Sequence, residues 1–287
     1  MLGKEGTCIE MMTEKSRNSI YALIDLDGTM YHGTSPIEGA DKLIEELGQL
    51  RVPYLFVTNN STRTPEEVAN HLQHFGISAG AQDVLTSAQA AASYIQKRFS
   101  DKMVFMIGEL GLQQALEDSG ISWTDQADDV WNSEIGVVVQ GLDRSLTYAK
   151  LEAAACALRG GAVSILTNPD VMLPSDRGFS PGAGTIGAAL QSASGVEPII
   201  IGKPSEIIMD EAMNRLGCTA QDVIVIGDNM MTDILAGANA GCRTALTYTG
   251  VTTPNNYDSF CARAGVEPNM VFHNMKQVRE WFIKEML

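Results

Sequence analysis

Short apolar segments alternate with amphipathic segments along most of the chain, and several of the apolar segments end in polar residues. Residues 19–25 and 52–58 are two of them, the first ending in acidic residues and the second in Thr58. Such short, continuous apolar runs are typical of buried strands, and the intervening segments have helical spacing. Further strands are predicted at 103–107, 135–139, 163–167, 198–201, 223–226 and 243–246. This alternation predicts an α/β fold with a mostly parallel sheet.

Two helix starts are predicted near the beginning of the chain. The sequence Ser-Pro-Ile-Glu, which begins at Ser35, has a capping residue, a proline and a capping-box glutamate, and predicts a helix that runs to about residue 50. The sequence Thr-Pro-Glu-Glu, which begins at Thr64, repeats this pattern. It predicts a second helix that ends at Gly76.

Charge and composition limit the partners of the protein. The chain has 20 Lys and Arg against 35 Asp and Glu, a formal net charge of −15, so it lacks the broad basic surface that nucleic acid needs. An anionic small molecule is still allowed, because a metal ion and one or two cations in a cleft outweigh a diffuse surface charge. No segment is long enough to span a bilayer, so no membrane partner is expected.

Cysteine usage and the first residues favour a cytoplasmic protein. The five cysteines form neither a CxxC pair nor a cluster at zinc spacing, which fits a reduced compartment. Residues 1–18 lack the apolar run of a signal peptide and are predicted to be a poorly ordered tail.

Four polar motifs stand at the ends of predicted strands. They are DLDGT from Asp25, TNNS from Thr58, GKP from Gly202 and GDNMMTD from Gly227. Each motif alone is common in turns. Because a parallel sheet binds its ligands outside the carboxyl ends of its strands, the four together predict one site at that edge.

The residue types of these motifs suit phosphoryl transfer. Asp25, Asp27 and Asp228 would repel one another unless a cation lay between them, which predicts a hard, oxygen-liking ion such as Mg²⁺. Lys203 supplies a positive charge, and the Thr58 hydroxyl supplies a donor, for the oxygens of a phosphoryl group. A carboxylate shielded in this way can attack phosphorus.

In this order the four motifs resemble those of the haloacid dehalogenase (HAD) superfamily, and the resemblance extends from Asp25 to Asp233. The chain is similar in particular to the NagD-like phosphatases of subfamily IIA, the branch that includes p-nitrophenyl phosphatase, phosphoglycolate phosphatase and pyridoxal phosphatase. Further matching segments are GLD from Gly141, TNPD from Thr167 and PGAG from Pro181. The resemblance implies a Rossmann-like core with a parallel sheet and an inserted α/β cap domain of the C2 type.

The resemblance also implies roles for single residues. Asp25 would be the nucleophile, and Asp27 would serve first as general acid and then as general base. Mg²⁺ would be held by Asp25, the backbone carbonyl of Asp27 and Asp228, while Asp233 would orient these ligands from behind. The phosphate- and substrate-binding residues would be Thr58, Asn59, Asn60, Lys203, Asn229, Asn168 and Asp170.

Spacing places the predicted cap. Thr58 and Lys203 lie 145 positions apart, far more than one βα unit needs. The surplus is assigned to a cap at residues 82–181, between core segments 19–81 and 182–287. Asn168 and Asp170, near the return to the core, are expected to touch substrate or to hold a closed state.

The expected function is Mg²⁺-dependent hydrolysis of small phosphorylated metabolites, such as sugar phosphates or nucleotides, through an aspartyl-phosphate. Asp27 argues against a dehalogenase or an ion pump, and the short spacing between the first two motifs leaves no room for the cap of a sugar phosphomutase. A different class stays open: a phospho-ligand-binding or regulatory protein that keeps this pocket but hardly turns over. The chain is expected to be a monomer or a homodimer, and its substrate is left open.

Two further segments contain residues that could bind a ligand. Residues 182–187 spell GxGxxG, but they do not follow a strand, so we interpret them as the entry to a helix and not as a nucleotide site. Asp143 and Arg144 follow a predicted strand and could reach the substrate.

Overall fold

The computed structural model of the protein describes residues 20–175 and 178–286. Its strands are β1 (Tyr21–Ile24), β2 (Tyr31–His32), β3 (Ser35–Pro36), β4 (Tyr54–Thr58), β5 (Val84–Thr86), β6 (Met103–Ile107), β7 (Trp123–Thr124), β8 (Ile135–Gln140), β9 (Val163–Leu166), β10 (Met172–Ser175), β11 (Gly178–Pro181), β12 (Ile199–Ile200), β13 (Val223–Gly227), β14 (Arg243–Thr247) and β15 (Met270–Phe272). Its α-helices are α1 (Ala40–Leu50), α2 (Pro65–His74), α3 (Ser87–Phe99), α4 (Leu110–Asp118), α5 (Asp129–Asn132), α6 (Tyr148–Arg159), α7 (Ala183–Ser194), α8 (Glu206–Leu216), α9 (Leu235–Asn239), α10 (Tyr257–Ala264) and α11 (Met275–Met286), and a π-helical turn spans Met230–Ile234.

A parallel six-stranded sheet carries the strands that precede three of the four motifs. Its order is β15-β14-β13-β1-β4-β5. The chain builds outward from β1 to β4 and β5, and later returns to add β13, β14 and β15 on the other side. Doubly wound sheets bind ligands at this reversal, at the carboxyl ends of the two strands that flank it. Here these ends carry Asp25, after β1, and Asp228, after β13.

A second parallel sheet has the order β12-β9-β8-β6-β7. Strand β6 occupies residues 103–107, as predicted, and the chain reverses direction between β6 and β8. The predicted fold class, α/β with parallel sheets, is therefore confirmed.

Both faces of the first sheet are buried, which explains why its strands are continuously apolar. In β1, Leu23 faces a cluster that includes Ala88 of α3 and Met209 of α8. Its neighbour Ile24 faces the opposite cluster, with Leu43 of α1 and Phe282 of α11. Leu23 and Ile24 are fully buried, so the carboxyl end of β1 is fixed by packing on two sides.

The predicted start of α1 at Ser35 is wrong. Ser35 and Pro36 form β3, which pairs with β2 in a two-stranded hairpin. The helix begins after Gly39, which has a φ of 84° and provides no side-chain cap. A local strand pairing therefore forms where the capping signature predicted the start of a helix. The start of α2 is confirmed, since Thr64 and Glu67 form a capping box.

Two strands near the predicted limits of the cap pair across those limits. Strand β5, at residues 84–86, belongs to the first sheet, and β12, at residues 199–200, pairs with β9 in the second. Helix α7 packs on α6, which lies between β8 and β9 of the second sheet. Elements that belong to the second sheet or pack with it therefore extend past residue 181. The division of the chain into a core at 19–81 and 182–287 and a cap at 82–181 stays a prediction, and the predicted tail at 1–18 lies outside the described residues.

Two further features bear on location. Within residues 20–175 and 178–286, no helix combines the length and the apolar character needed to cross a membrane. Cys156, Cys218, Cys242 and Cys261 are free thiols, while Cys8 lies outside the described residues. A cytoplasmic location stays a prediction.

Candidate active site

All four motifs meet at one cavity of about 240 Å³, and the predicted catalytic, metal-binding and phosphate-binding residues all line it. The cavity lies at the carboxyl ends of β1, β4 and β13. Lys203 arrives from the end of β12, a strand of the second sheet. The lining residues are Asp25, Asp27, Tyr31, Thr58, Asn59, Asn60, Ser61, Thr62, Leu142, Arg144, Asn168, Asp170, Leu173, Ala183, Lys203, Asp228, Asn229, Thr232, Asp233 and Val251.

Lys203 is the buried cation of the site, with only 2% of its surface exposed. Its Nζ donates to Asp25 Oδ1 at 2.5 Å, to Asp233 Oδ1 at 2.7 Å and to the carbonyl oxygen of Val57 at 2.9 Å. Burial alone would lower the pKa of Lys203, but the charges of Asp233 and Asp25 raise it above its usual value. The ammonium group is therefore charged and held beside Asp25.

Three carboxylates crowd this cation. Oxygens of Asp25, Asp228 and Asp233 lie within 4.8 Å of one another. Burial, together with the charges of Asp25 and Asp233, raises the pKa of Asp228 to about 8. Three carboxylates this close repel one another when ionised, so a cation between them would favour their charged forms.

Among the described residues, Asp25 and Asp228 have carboxylate oxygens that are available to bind a cation. Both oxygens of Asp233 are already used, by Lys203 Nζ and by the backbone N–H of Asn229. Asp228 Oδ2 accepts from the N–H of Val251, whereas Asp228 Oδ1 and Asp25 Oδ2 share only long, 3.3 Å contacts with the Thr29 hydroxyl. This donor set suits a hard divalent ion between Asp25 and Asp228, with Asp233 behind them.

Glycine makes the approach of these carboxylates possible. Gly28 has a φ of 93°, and a Cβ at this position would lie 2.5 Å from the Asp228 carboxylate. The turn after β1 therefore requires glycine at position 28 for two reasons: the positive φ, and the lack of space for a Cβ. The same turn leaves Asp27 exposed on the cavity wall, where it lines the same space as Asp25.

The loop after β4 presents Thr58 to the cavity. The Thr58 hydroxyl oxygen accepts from the N–H of Asn60 at 3.1 Å, which leaves its hydrogen for a ligand. Asn60 and Asn229 also line the cavity, but each uses its side-chain oxygen to cap nearby backbone N–H groups. Only the amide NH₂ groups of Asn60 and Asn229 are left to contact a ligand, and their predicted roles stay predictions.

The Asn59 side chain holds the backbone of Lys203. Asn59 Oδ1 accepts from the Lys203 N–H at 2.8 Å, and its Nδ2 donates to the Lys203 carbonyl at 2.9 Å and to Asp170 Oδ2 at 3.1 Å. Asn168 Nδ2 donates to the same Asp170 oxygen at 2.6 Å. Asn59, Asn168 and Asp170 therefore form a network that joins the β4 loop and the loop after β9 to Lys203.

The PGAG segment packs against the loop that carries Asp170. The N–H of Gly184 donates to the Asp170 carbonyl at 2.9 Å, and a Cβ on Gly184 would lie 2.6 Å from the carbonyl carbon of Pro169. Glycine thus lets α7 begin directly against the loop that carries Asp170. This close packing accounts for the GxGxxG spelling without a nucleotide.

Of the pair Asp143 and Arg144, only Arg144 lines the cavity. Asp143 is buried and accepts from Ser145 and Lys150. Sequence reasoning missed Tyr31 and Val251 on the cavity wall. Val251 follows β14, so the rule that ligands lie beyond strand ends could have found it, whereas nothing in the sequence singles out Tyr31.

Comparison with known proteins identifies the family of the chain. The family of haloacid dehalogenase-like hydrolases matches residues 22–122, and a HAD-hydrolase-like family matches residues 200–278. The 5'-nucleotidase YutF of Bacillus subtilis (strain 168) is 46% identical over 230 residues, which cover 80% of this chain and 87% of that protein.

Two solved structures are similar over nearly their whole length. The p-nitrophenyl phosphatase from Archaeoglobus fulgidus matches with a TM-score of 0.85 and 34% identity, covering 92% of this chain and 100% of that one. NagD from E. coli K-12 matches with a TM-score of 0.81 and 29% identity, covering 90% and 97%.

The chain belongs to the haloacid dehalogenase-like hydrolases. Within that family it is a NagD-like phosphatase, an enzyme that hydrolyses phosphoric monoesters. The resemblance inferred from its four motifs is confirmed.

Proposed function

We propose that the protein is a Mg²⁺-dependent phosphatase of small phosphorylated metabolites that forms an aspartyl-phosphate on Asp25. The observation that carries this proposal is the position of Asp25 at the reversal of the first sheet, bound to Lys203 Nζ at 2.5 Å and adjacent to Asp228. Asp27 lines the same cavity, so a phosphoryl group bound there would face both a nucleophile and an acid/base group.

In the first step, a carboxylate oxygen of Asp25 attacks phosphorus and the bond from phosphorus to the leaving oxygen breaks. Asp27 gives its proton to that oxygen, and the product leaves as an alcohol. Lys203 and the Thr58 hydroxyl stabilise the charge on the phosphoryl oxygens during transfer.

In the second step, Asp27, now a carboxylate, takes a proton from water while the water oxygen attacks phosphorus. The bond between phosphorus and Asp25 breaks, and inorganic phosphate forms. Asp27 is protonated again and Asp25 is a free carboxylate, so the residues return to their starting state.

The carboxylates of Asp25 and Asp228 and the backbone carbonyl of Asp27 would hold Mg²⁺, and Asp233 would orient them. When bound, Mg²⁺ neutralises the charge that would otherwise keep a carboxylate from a phosphate group. A divalent cation beside Asp228 would offset the burial and the negative charges that raise the pKa of this carboxyl, and would so favour its ionised form.

A small phosphorylated metabolite fits a cavity of about 240 Å³. We propose a cytoplasmic enzyme that acts as a monomer or a homodimer and that binds neither nucleic acid nor membrane. The alternative is a phospho-ligand-binding or regulatory protein that uses the same pocket with little turnover.

Phosphate release is expected to need the metal. With p-nitrophenyl phosphate and a panel of phosphorylated metabolites, chelation should reduce the initial rate by about 100-fold or more, because the Asp25 and Asp228 carboxylates are left uncompensated. Added Mg²⁺ should restore the rate.

Activity that is indifferent to the chelator would contradict the metal assignment. Tight binding of phosphorylated compounds without any release, with Mg²⁺ present, would favour the binding-protein alternative.

Asn59→Ala is expected to lower kcat and to leave KM nearly unchanged. The substitution removes two hydrogen bonds to the Lys203 backbone, and at about 1 kcal/mol each they correspond to roughly 10- to 30-fold in rate. Steady-state kinetics on p-nitrophenyl phosphate measure the split, with Asn70→Ala, at an exposed position of α2, as the matched control. A rise in KM with kcat unchanged would instead identify Asn59 as a direct phosphate ligand.

A further inference from the structure

The second sheet brings strand ends of its own to the cavity that contains Asp25. Its chain direction reverses between β6 and β8, and the carboxyl ends of these two strands flank the reversal. Doubly wound sheets bind ligands at such a point. Glu109 follows β6, and the segment from Gly141 to Arg144 follows β8, with the Gly141 N–H bound to the Ile107 carbonyl at 2.8 Å.

At these strand ends, Glu109 holds Arg144 through two hydrogen bonds. Glu109 Oε1 accepts from the backbone N–H of Arg144 at 3.0 Å, and Oε2 accepts from its Nη1 at 2.7 Å. The side chain of Glu109 is 25% exposed, whereas that of Arg144 is 68% exposed. The carboxylate thus fixes both ends of the arginine and leaves the outer N–H groups of the guanidinium accessible.

Arg144 lines the same cavity as Asp25. Of the described residues around this cavity, Lys203 and Arg144 carry the full positive charges. The Lys203 ammonium is committed to Asp25, Asp233 and the Val57 carbonyl. Arg144 is therefore the cation that is available to the part of a substrate lying beyond the phosphoryl group.

We propose that Arg144 binds a second oxyanion on the leaving group, so that the preferred substrates are phosphomonoesters that also carry a carboxylate or another phosphate. The inference rests on the proposed function. Guanidinium groups pair with such oxyanions through parallel N–H···O bonds and are seldom matched by lysine in this geometry. Glu109 is a positioning residue, because it acts on substrate only through Arg144.

The test compares substrates that differ only in the second group. 3-Phosphoglycerate has a carboxylate where glycerol 3-phosphate has a hydroxymethyl group, and fructose 1,6-bisphosphate has a phosphate that fructose 6-phosphate lacks. Wild type should favour the anionic member of at least one pair in kcat/KM, and the pair that shows the preference identifies the oxyanion. Arg144→Met should lower kcat/KM for that compound about 10- to 100-fold, mainly through KM, and leave its neutral partner within about 2-fold.

Two further variants separate recognition from general damage. Arg144→Lys keeps the charge but loses the paired geometry, so it should retain only part of the preference. Arg159→Met, at an exposed position at the end of α6, is the matched control and should behave as wild type. If neither member of a pair is turned over, the same ratio is measured with both compounds as competitive inhibitors of p-nitrophenyl phosphate hydrolysis.

Equal kcat/KM for the members of both pairs, or an equal loss on both members in Arg144→Met, would overturn the inference. Hydrolysis of p-nitrophenyl phosphate distinguishes this failure from that of the proposed function. If this ester is hydrolysed and the preference is absent, only the role of Arg144 fails, whereas no hydrolysis of any ester removes the proposed function itself.

Discussion

Replacing Asp25 by Asn is expected to reduce turnover by about 10⁴-fold or more while leaving the fold intact. The amide keeps the shape and an oxygen that can accept from Lys203, but it cannot attack phosphorus as a carboxylate does. The substitution also removes one of three crowded negative charges, so no loss of stability is expected. Initial rates of phosphate release and a thermal unfolding curve measure the two parts.

The same variant tests the intermediate. Wild-type protein quenched in acid during turnover should carry the mass of one phosphoryl group on the peptide that contains Asp25, and the Asn variant should not. Asp101→Asn, at an exposed surface position, is the matched control and should keep both activity and the labelled peptide. Activity retained by Asp25→Asn, or a phosphoryl group found on another residue, would contradict the proposed mechanism.

The sequence could predict where the site lies because parallel strands place their following residues at one edge. Asp25, Thr58 and Asp228 each follow an apolar run, and this placement requires no knowledge of strand order. The order adds what the sequence lacks: β1 and β13 are neighbours although about 200 residues separate them. Because β1 pairs with β13, Asp25 lies beside Asp228.

The contact between Asn59 and the Lys203 backbone could not be predicted from the sequence, because it also depends on strand order. A TNN motif beside a phosphate site suggests amides that contact the phosphoryl group. In the structure, Lys203 arrives from β12, which pairs with β9 of the second sheet, and its backbone comes to lie against Asn59. A contact between positions 144 apart in sequence has no local signal.

The elements that were missed are short or depend on their neighbours. Strand β7 has two residues, too few for an alternating pattern to be recognised, whereas β12, which is equally short, lies within the strand predicted at 198–201. The error at α1 has a different cause, because Ser35 and Pro36 fit a helix start equally well but pair with Tyr31 and His32. A short hairpin therefore replaced the first turn that the capping signature predicted.

Lys203→Met is expected to lower both stability and activity, for separable reasons. Asp233 is 1% exposed and its Oδ1 depends on the Lys203 ammonium, so the substitution leaves a buried carboxylate without its counter-charge. Breaking one side of a buried ion pair costs about 3–5 kcal/mol in the free energy of unfolding. Loss of the cation beside Asp25 should also reduce kcat by about 10³-fold, because the transferring phosphoryl group loses a fixed positive charge.

The double variant Lys203→Met with Asp233→Asn separates these effects. Neutralising Asp233 removes the unpaired buried charge, while the amide oxygen can still accept from the Asn229 N–H, so most of the unfolding free energy should return. Activity should stay as low as in the single variant, because no cation faces Asp25. Chemical denaturation and initial rates on the same preparations measure both. Recovery of activity together with stability would mean that Lys203 serves only to neutralise Asp233, and a fully active single variant would remove it from the catalytic site altogether.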